Sequence, residues 1–133
     1  MNIYIFSLTL LLFLILDLIW ISTNYKYYIS LCLKIQKEPF VLKITPIIIA
    51  YISLTIGLYL YIKLLLMVNN NSKENKYLNA ILYGFLFGFA IYGTYSYTSC
   101  TYYKNYKYYD AFKDTLWGVI LFIICGLFYI RIN

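Results

Sequence analysis

Four stretches of this chain are each long enough to cross a lipid bilayer, and nothing else in the sequence constrains its fold as strongly. A hydrocarbon core of ~30 Å is crossed by about 20 helical residues rising ~1.5 Å each. Residues 3–22, 44–67, 77–98 and 111–130 each supply such an apolar run, with polar segments between them. Only 12% of the residues are charged, whereas a soluble domain carries roughly a quarter, so most of the surface must meet something other than water. The runs show no strict alternation and are about twice as long as a barrel strand. The expected fold is therefore all-α: one membrane domain over residues 1–133, an antiparallel bundle of four transmembrane helices, in an integral, multi-pass protein.

The first run has a competing reading as a signal peptide. It lacks a basic leading segment, carries Asp17, and places bulky Trp20 where a small-residue cleavage site belongs, so a retained helix is expected. A polar segment over residues 23–43 leads to the second span, which has Pro46 in its first turn, where a missing N–H costs little. Lys63, a turn from that span's end, can snorkel to the headgroups. Residues 69–76 read as a polar turn, with a glycosylation sequon at Asn70-Asn71-Ser72.

A net charge of +6 suggests nucleic acid in a soluble protein. Here the bases lie mainly between or beside apolar runs, where anionic lipid headgroups are the simpler partner. The segment over residues 100–110 interleaves Lys104 and Lys107 with tyrosines. Stacking on a single strand is the alternative to an interfacial belt, and the flanking spans favour the belt. The expected partner is thus the bilayer, not nucleic acid. The chain has no histidine, which removes the commonest general base and transition-metal ligand. Cys32, Cys100 and Cys125 form no C-x-x-C, so no metal and no cofactor is expected.

Acids are scarce, five in all, and two of them sit where a carboxylate is expensive. Asp17-Leu18-Ile19-Trp20 closes the first span, and Asp114-Thr115-Leu116-Trp117 opens the fourth. A charge within a span usually faces protein or water rather than lipid. Antiparallel topology brings the end of the first span, the start of the second, the end of the third and the start of the fourth to one side of the membrane. Asp17, Trp20, Pro46, Asp114 and Trp117 then share a layer with Tyr92, Thr94, Tyr95, Ser96, Tyr97 and Thr98. The i,i+3 spacing puts each acid and its indole on one helical face, so an indole N–H can donate to the other helix's carboxylate or to a hydroxyl of the third span. Three readings stay open: a structural clasp between helices, a ligand or substrate site, and simple interfacial placement of aromatic residues.

Small residues indicate how the helices pack. Ala80, Gly84 and Gly88 recur at every fourth position, and Gly118 and Gly126 mark the fourth span. Such stripes let helices approach closely, either within the chain or in a homodimer through Gly84 and Gly88.

Taken in order, these motifs resemble those of the predicted membrane proteins grouped as domain of unknown function 2177. That pattern has L-D-x-x-W at the end of a first span, a second span with proline, tyrosine and glycine, a third running into Y-G-T-Y-D-x-T-N, and a fourth opening with D-x-x-W-G. The corresponding residues are Leu16, Asp17 and Trp20; Pro46, Tyr51 and Gly57; Gly84 and Gly88 leading into Tyr92-Gly93-Thr94-Tyr95; and Asp114, Trp117 and Gly118. Ser96 stands where the pattern has aspartate and Ser99 where it has asparagine, so a third carboxylate and an amide are missing from the shared layer. The resemblance implies a small multi-span membrane protein and no particular reaction.

The absence of any nucleophile–base arrangement favours a non-enzymatic protein that binds lipid or a small ligand through the Asp/Trp/Tyr layer. The alternative is a proton-coupled transporter or channel subunit using Asp17 and Asp114. A lipid-modifying enzyme with these two as acid and base has the least support.

Overall fold

Asn2 starts the first helix by accepting hydrogen bonds at its side chain from the N–H groups of Tyr4 and Ile5, two of the donors a helix start leaves open. In the computed structural model, which describes residues 1–71 and 75–133, α1 runs over Ile3–Thr23 and α2 over Tyr25–Gln36. Next come α3, Ile44–Asn71, and α4, Lys76–Gly88. A π-helical turn over Phe89–Gly93 joins α4 without a break to α5, Thr94–Tyr102. The last helix, α6, spans Tyr108–Ile132. Among the described residues there is no strand, and α1, α3, the continuous Lys76–Tyr102 segment and α6 are each long and apolar enough to cross a membrane. The fold is the expected all-α membrane bundle. Ser72 of the sequon and Lys73 lie outside the described residues.

One element differs from the sequence expectation. Residues 23–43 do not merely link two spans but contain α2. Tyr27, Leu31 and Ile35 recur every fourth residue and form its apolar face. They pack against Cys100, Tyr106 and Ala111 in a small core apart from the main one. The helix ends at Lys37, whose φ of 58° is left-handed, as is common just past a helix end.

The main core is a stack of Phe13, Leu58, Tyr61, Ile62, Leu65, Leu121, Phe122, Cys125 and Tyr129. Helix α1 contributes through a narrow stripe, Thr9, Phe13 and Asp17, so the aspartate continues the packing face rather than pointing at lipid. The closest helix pair is α4 with α6. A Cβ added at Gly84 would lie 2.9 Å from Ile123 Cα, and one at Gly88 would lie 2.5 Å from Val119 Cα. The face offered for a homodimer through Gly84 and Gly88 is therefore occupied by α6 of the same chain. Ala80, at the head of the stripe, is fully buried and its carbonyl accepts from the Tyr61 hydroxyl at 2.8 Å.

Helix α3 packs unevenly. From Gly57 onward, Leu58, Tyr61, Ile62 and Leu65 are buried, yet residues 44–50 are exposed on every side. Its first two turns stand off from the bundle.

Candidate functional site

The π-helical turn sets which residues of the third span face inward. Buried positions step by four from Ala80 through Gly84 to Gly88, then by five to Gly93, and on to Ser96 and Ser99. A π turn closes i→i+5 hydrogen bonds and so advances the inward face by one residue. Without that shift, the small-residue face would not lead to the serines.

Asp17 is the hub. Its carboxylate accepts from Tyr51 of α3 at 3.0 Å, from Tyr92 of the π-helical turn at 3.4 Å, and from Trp117 Nε1 of α6 at 3.2 Å. One side chain of α1 thus collects a donor from each of the other three spans. Asp114 has its own pair, the hydroxyls of Tyr28 at 2.7 Å and Tyr106 at 2.9 Å. The Tyr28 hydroxyl also accepts from Trp20 Nε1 at 2.9 Å. Each indole therefore serves the aspartate of the opposite helix, Trp117 directly and Trp20 through Tyr28. The two indoles stack with centroids 4.6 Å apart and planes within 2°, which ties α1 to α6.

Outside the spans, Tyr28 and Tyr106 hold their protons more firmly than an ordinary phenol. Burial is the main cause for both, and the Asp114 carboxylate against each hydroxyl adds to it. Both hydroxyls therefore remain donors across the physiological range. Lys113, next in sequence to Asp114, is engaged elsewhere. Its ammonium donates to Asn24 Oδ1 at 2.6 Å and lies 4.1 Å from the centre of the Tyr27 ring. Asp110 caps α6 by accepting from the Lys107 N–H and is also bonded by the Tyr27 hydroxyl.

Between these groups lies a cavity of about 320 Å³, lined by Asp17, Trp20, Ile21, Tyr28, Ala50, Tyr51, Leu54, Tyr92, Tyr95, Ser96, Asp114 and Trp117. Tyr95 is 70% exposed and forms part of its rim. Ser96 is fully buried and lies near Tyr106, but its hydroxyl makes no hydrogen bond of acceptable geometry. Thr115 Oγ1, near Gly93, also has no partner. Thr98, expected in this layer, faces away from the cavity. It is exposed and lines no part of the cavity, because the face set by the π-helical turn carries positions 93, 96 and 99 inward and leaves 94, 97 and 98 outside. Gly118 acts at second hand: a Cβ there would lie 2.2 Å from Tyr92 Cγ, so its absence makes room for the ring that reaches Asp17.

A family model described as a predicted membrane protein (DUF2177) matches residues 2–130. The chain belongs to this family. Comparisons with curated proteins and with solved structures gave no match. This DUF2177 member thus has a shown architecture, and any reading of its cavity rests on the cavity's own chemistry.

Sequence reasoning alone did not identify Tyr28 and Tyr106 as partners of Asp114. The periodicity of Tyr27, Leu31 and Ile35 could have revealed α2, but it does not single out Tyr28. Replacing Tyr28 with phenylalanine removes one donor from Asp114 and the acceptor of Trp20 while keeping the ring. The expected loss is about 1 kcal/mol, with a shift in tryptophan emission. Both are measurable in one thermal unfolding series, because Trp20 and Trp117 are the chain's two tryptophans. An unchanged emission maximum would show that the Trp20–Tyr28 bond does not form.

Proposed function

We propose that this chain is a non-enzymatic membrane protein whose cavity binds a cationic group, carried by a small ligand or a lipid headgroup. One observation carries the reading. Among the described residues, the hydrogen bonds reaching Asp17 and Asp114 come from tyrosine hydroxyls and an indole, and none comes from a lysine or arginine. Two carboxylates therefore line one small cavity with no direct ion pair, because Lys113, the cation that acts on Asp114, is hydrogen-bonded to Asn24 instead, whereas buried charges are normally paired. The rest of the wall is largely aromatic, and ring faces attract ammonium groups. Carboxylates with aromatic faces suit a primary or quaternary ammonium. The alternative of a proton-coupled transporter or channel subunit draws on the same two aspartates but has less support, because the buried apolar core of Phe13, Leu58 and Phe122 packs the bundle along the same helices.

The test is a titration of the purified protein with choline and with 3,3-dimethyl-1-butanol, its uncharged isostere, read by tryptophan emission. Choline should bind at least about ten-fold more tightly, and Asp17→Asn combined with Asp114→Asn should remove that preference. Equal responses to the two compounds would overturn the proposal.

A further inference from the structure

We infer that the ligand of this cavity is a lipid with an ammonium-bearing headgroup, whose acyl chain leaves the cavity sideways along the first half of α3. The inference rests on the cation-binding reading above and adds the ligand's class and route. Two observations support it. First, residues 44–50 of α3 are exposed all round, while the helix is packed from Gly57 onward. The helix is thus loosely packed on the side of the membrane that holds the carboxylates and tightly packed beyond it.

Second, the opening is shaped. A groove of about 440 Å³ runs between α3 and the π-helical turn and α5, and its wall includes Ser53 and Ile91. Ala50, Leu54, Tyr92 and Tyr95 line both this groove and the carboxylate cavity. These shared residues place the apolar groove directly beside the polar cavity, so a ligand whose headgroup sits in the cavity needs only to pass the Tyr92 and Tyr95 side chains to lay its chain in the groove. A free ammonium compound would fill only the first. A lipid fills both, with its charge among the carboxylates and rings and its chain lying where the bilayer's own chains would otherwise be.

The test uses the full chain in phosphatidylglycerol nanodiscs, whose lipids carry no ammonium, with emission from Trp20 and Trp117 as the readout. Lysophosphatidylcholine should act at about one-tenth of the concentration needed with choline, and lysophosphatidylglycerol of the same chain length should not act. Ser53→Phe, which fills the groove without lining the cavity, should remove the ten-fold advantage and leave the choline response within about two-fold. Ser53→Ala should change neither. Choline binding with no gain from the chain, or a gain that survives Ser53→Phe, would overturn the lipid inference while sparing the cation reading. No response to either compound would remove both.

Discussion

Asp17→Ala is expected to destabilise the bundle by roughly 2–3 kcal/mol, the largest effect of any single change in the polar layer. Tyr51, Tyr92 and Trp117, from three different spans, lose their shared acceptor at once. Interhelical hydrogen bonds in membranes average only about 0.6 kcal/mol, but bonds to a charged acceptor are stronger, and a stranded donor carries its own penalty. The removal of a poorly solvated carboxylate offsets part of the loss. Asp17→Asn should cost less, about 1 kcal/mol, because the amide keeps one acceptor oxygen and a tyrosine hydroxyl can turn to accept from its NH2. The pair of variants separates a clasp from a binding site. A pure clasp predicts that the asparagine variant behaves almost as the native chain in every assay. The cation reading predicts that it stays folded, by circular dichroism and unfolding in graded SDS, yet loses choline affinity. An alanine variant as stable as the native chain would show that Asp17 is not the hub its hydrogen bonds describe.

The hub was legible in the sequence to the extent that it depends on helical spacing and span order. Asp17 and Asp114 are out of place in apolar runs, and antiparallel helices must bring a helix end and a helix start to one depth. What spacing could not supply was the rotational phase of the third span. An α-helical reading treats residues 92–98 as one polar crowd. The π-helical turn at Phe89–Gly93 picks out Ser96 and discards Thr98, and nothing in Phe-Ala-Ile-Tyr-Gly announces a wider turn. The donors to Asp114 were hidden for a different reason. Tyr28 and Tyr106 sit in segments that composition marks as polar connections, one of which is in fact a short amphipathic helix packed beside the start of α6. Among eighteen tyrosines, no local signal separates these two from those that meet headgroups. Tyr51 stood out only through the family resemblance, and its role at Asp17 is visible only in the hydrogen bond that its hydroxyl makes there.

Gly88→Ala should be more damaging than the small size of a methyl group suggests, at about 2–3 kcal/mol. The added Cβ would lie 2.5 Å from Val119 Cα and 2.6 Å from the Gly118 carbonyl oxygen. Both obstacles are backbone, so no side-chain rotation relieves them and α4 must move away from α6. Contrast Gly126→Ala, whose Cβ would meet the Tyr61 hydroxyl. There the obstacle is a side chain, but one fully buried against Phe87 and Phe122, so relief costs its bond to the Ala80 carbonyl and a repacking of the core. Gly93→Ala is the internal control. Its Cβ would lie 3.4 Å from Thr115 Cγ2, an ordinary contact, and alanine is the better helix former by about 1 kcal/mol, so this variant should be neutral or slightly more stable. The damage at Gly88 should also reach the cavity, because separating α4 from α6 moves Tyr92 off Gly118 and away from Asp17. Tryptophan emission should therefore change in Gly88→Ala and stay native in Gly93→Ala, at temperatures where both remain folded. Equal stability of these two variants in graded SDS would mean that the backbone contact between α4 and α6 does not set the spacing on which the polar layer depends.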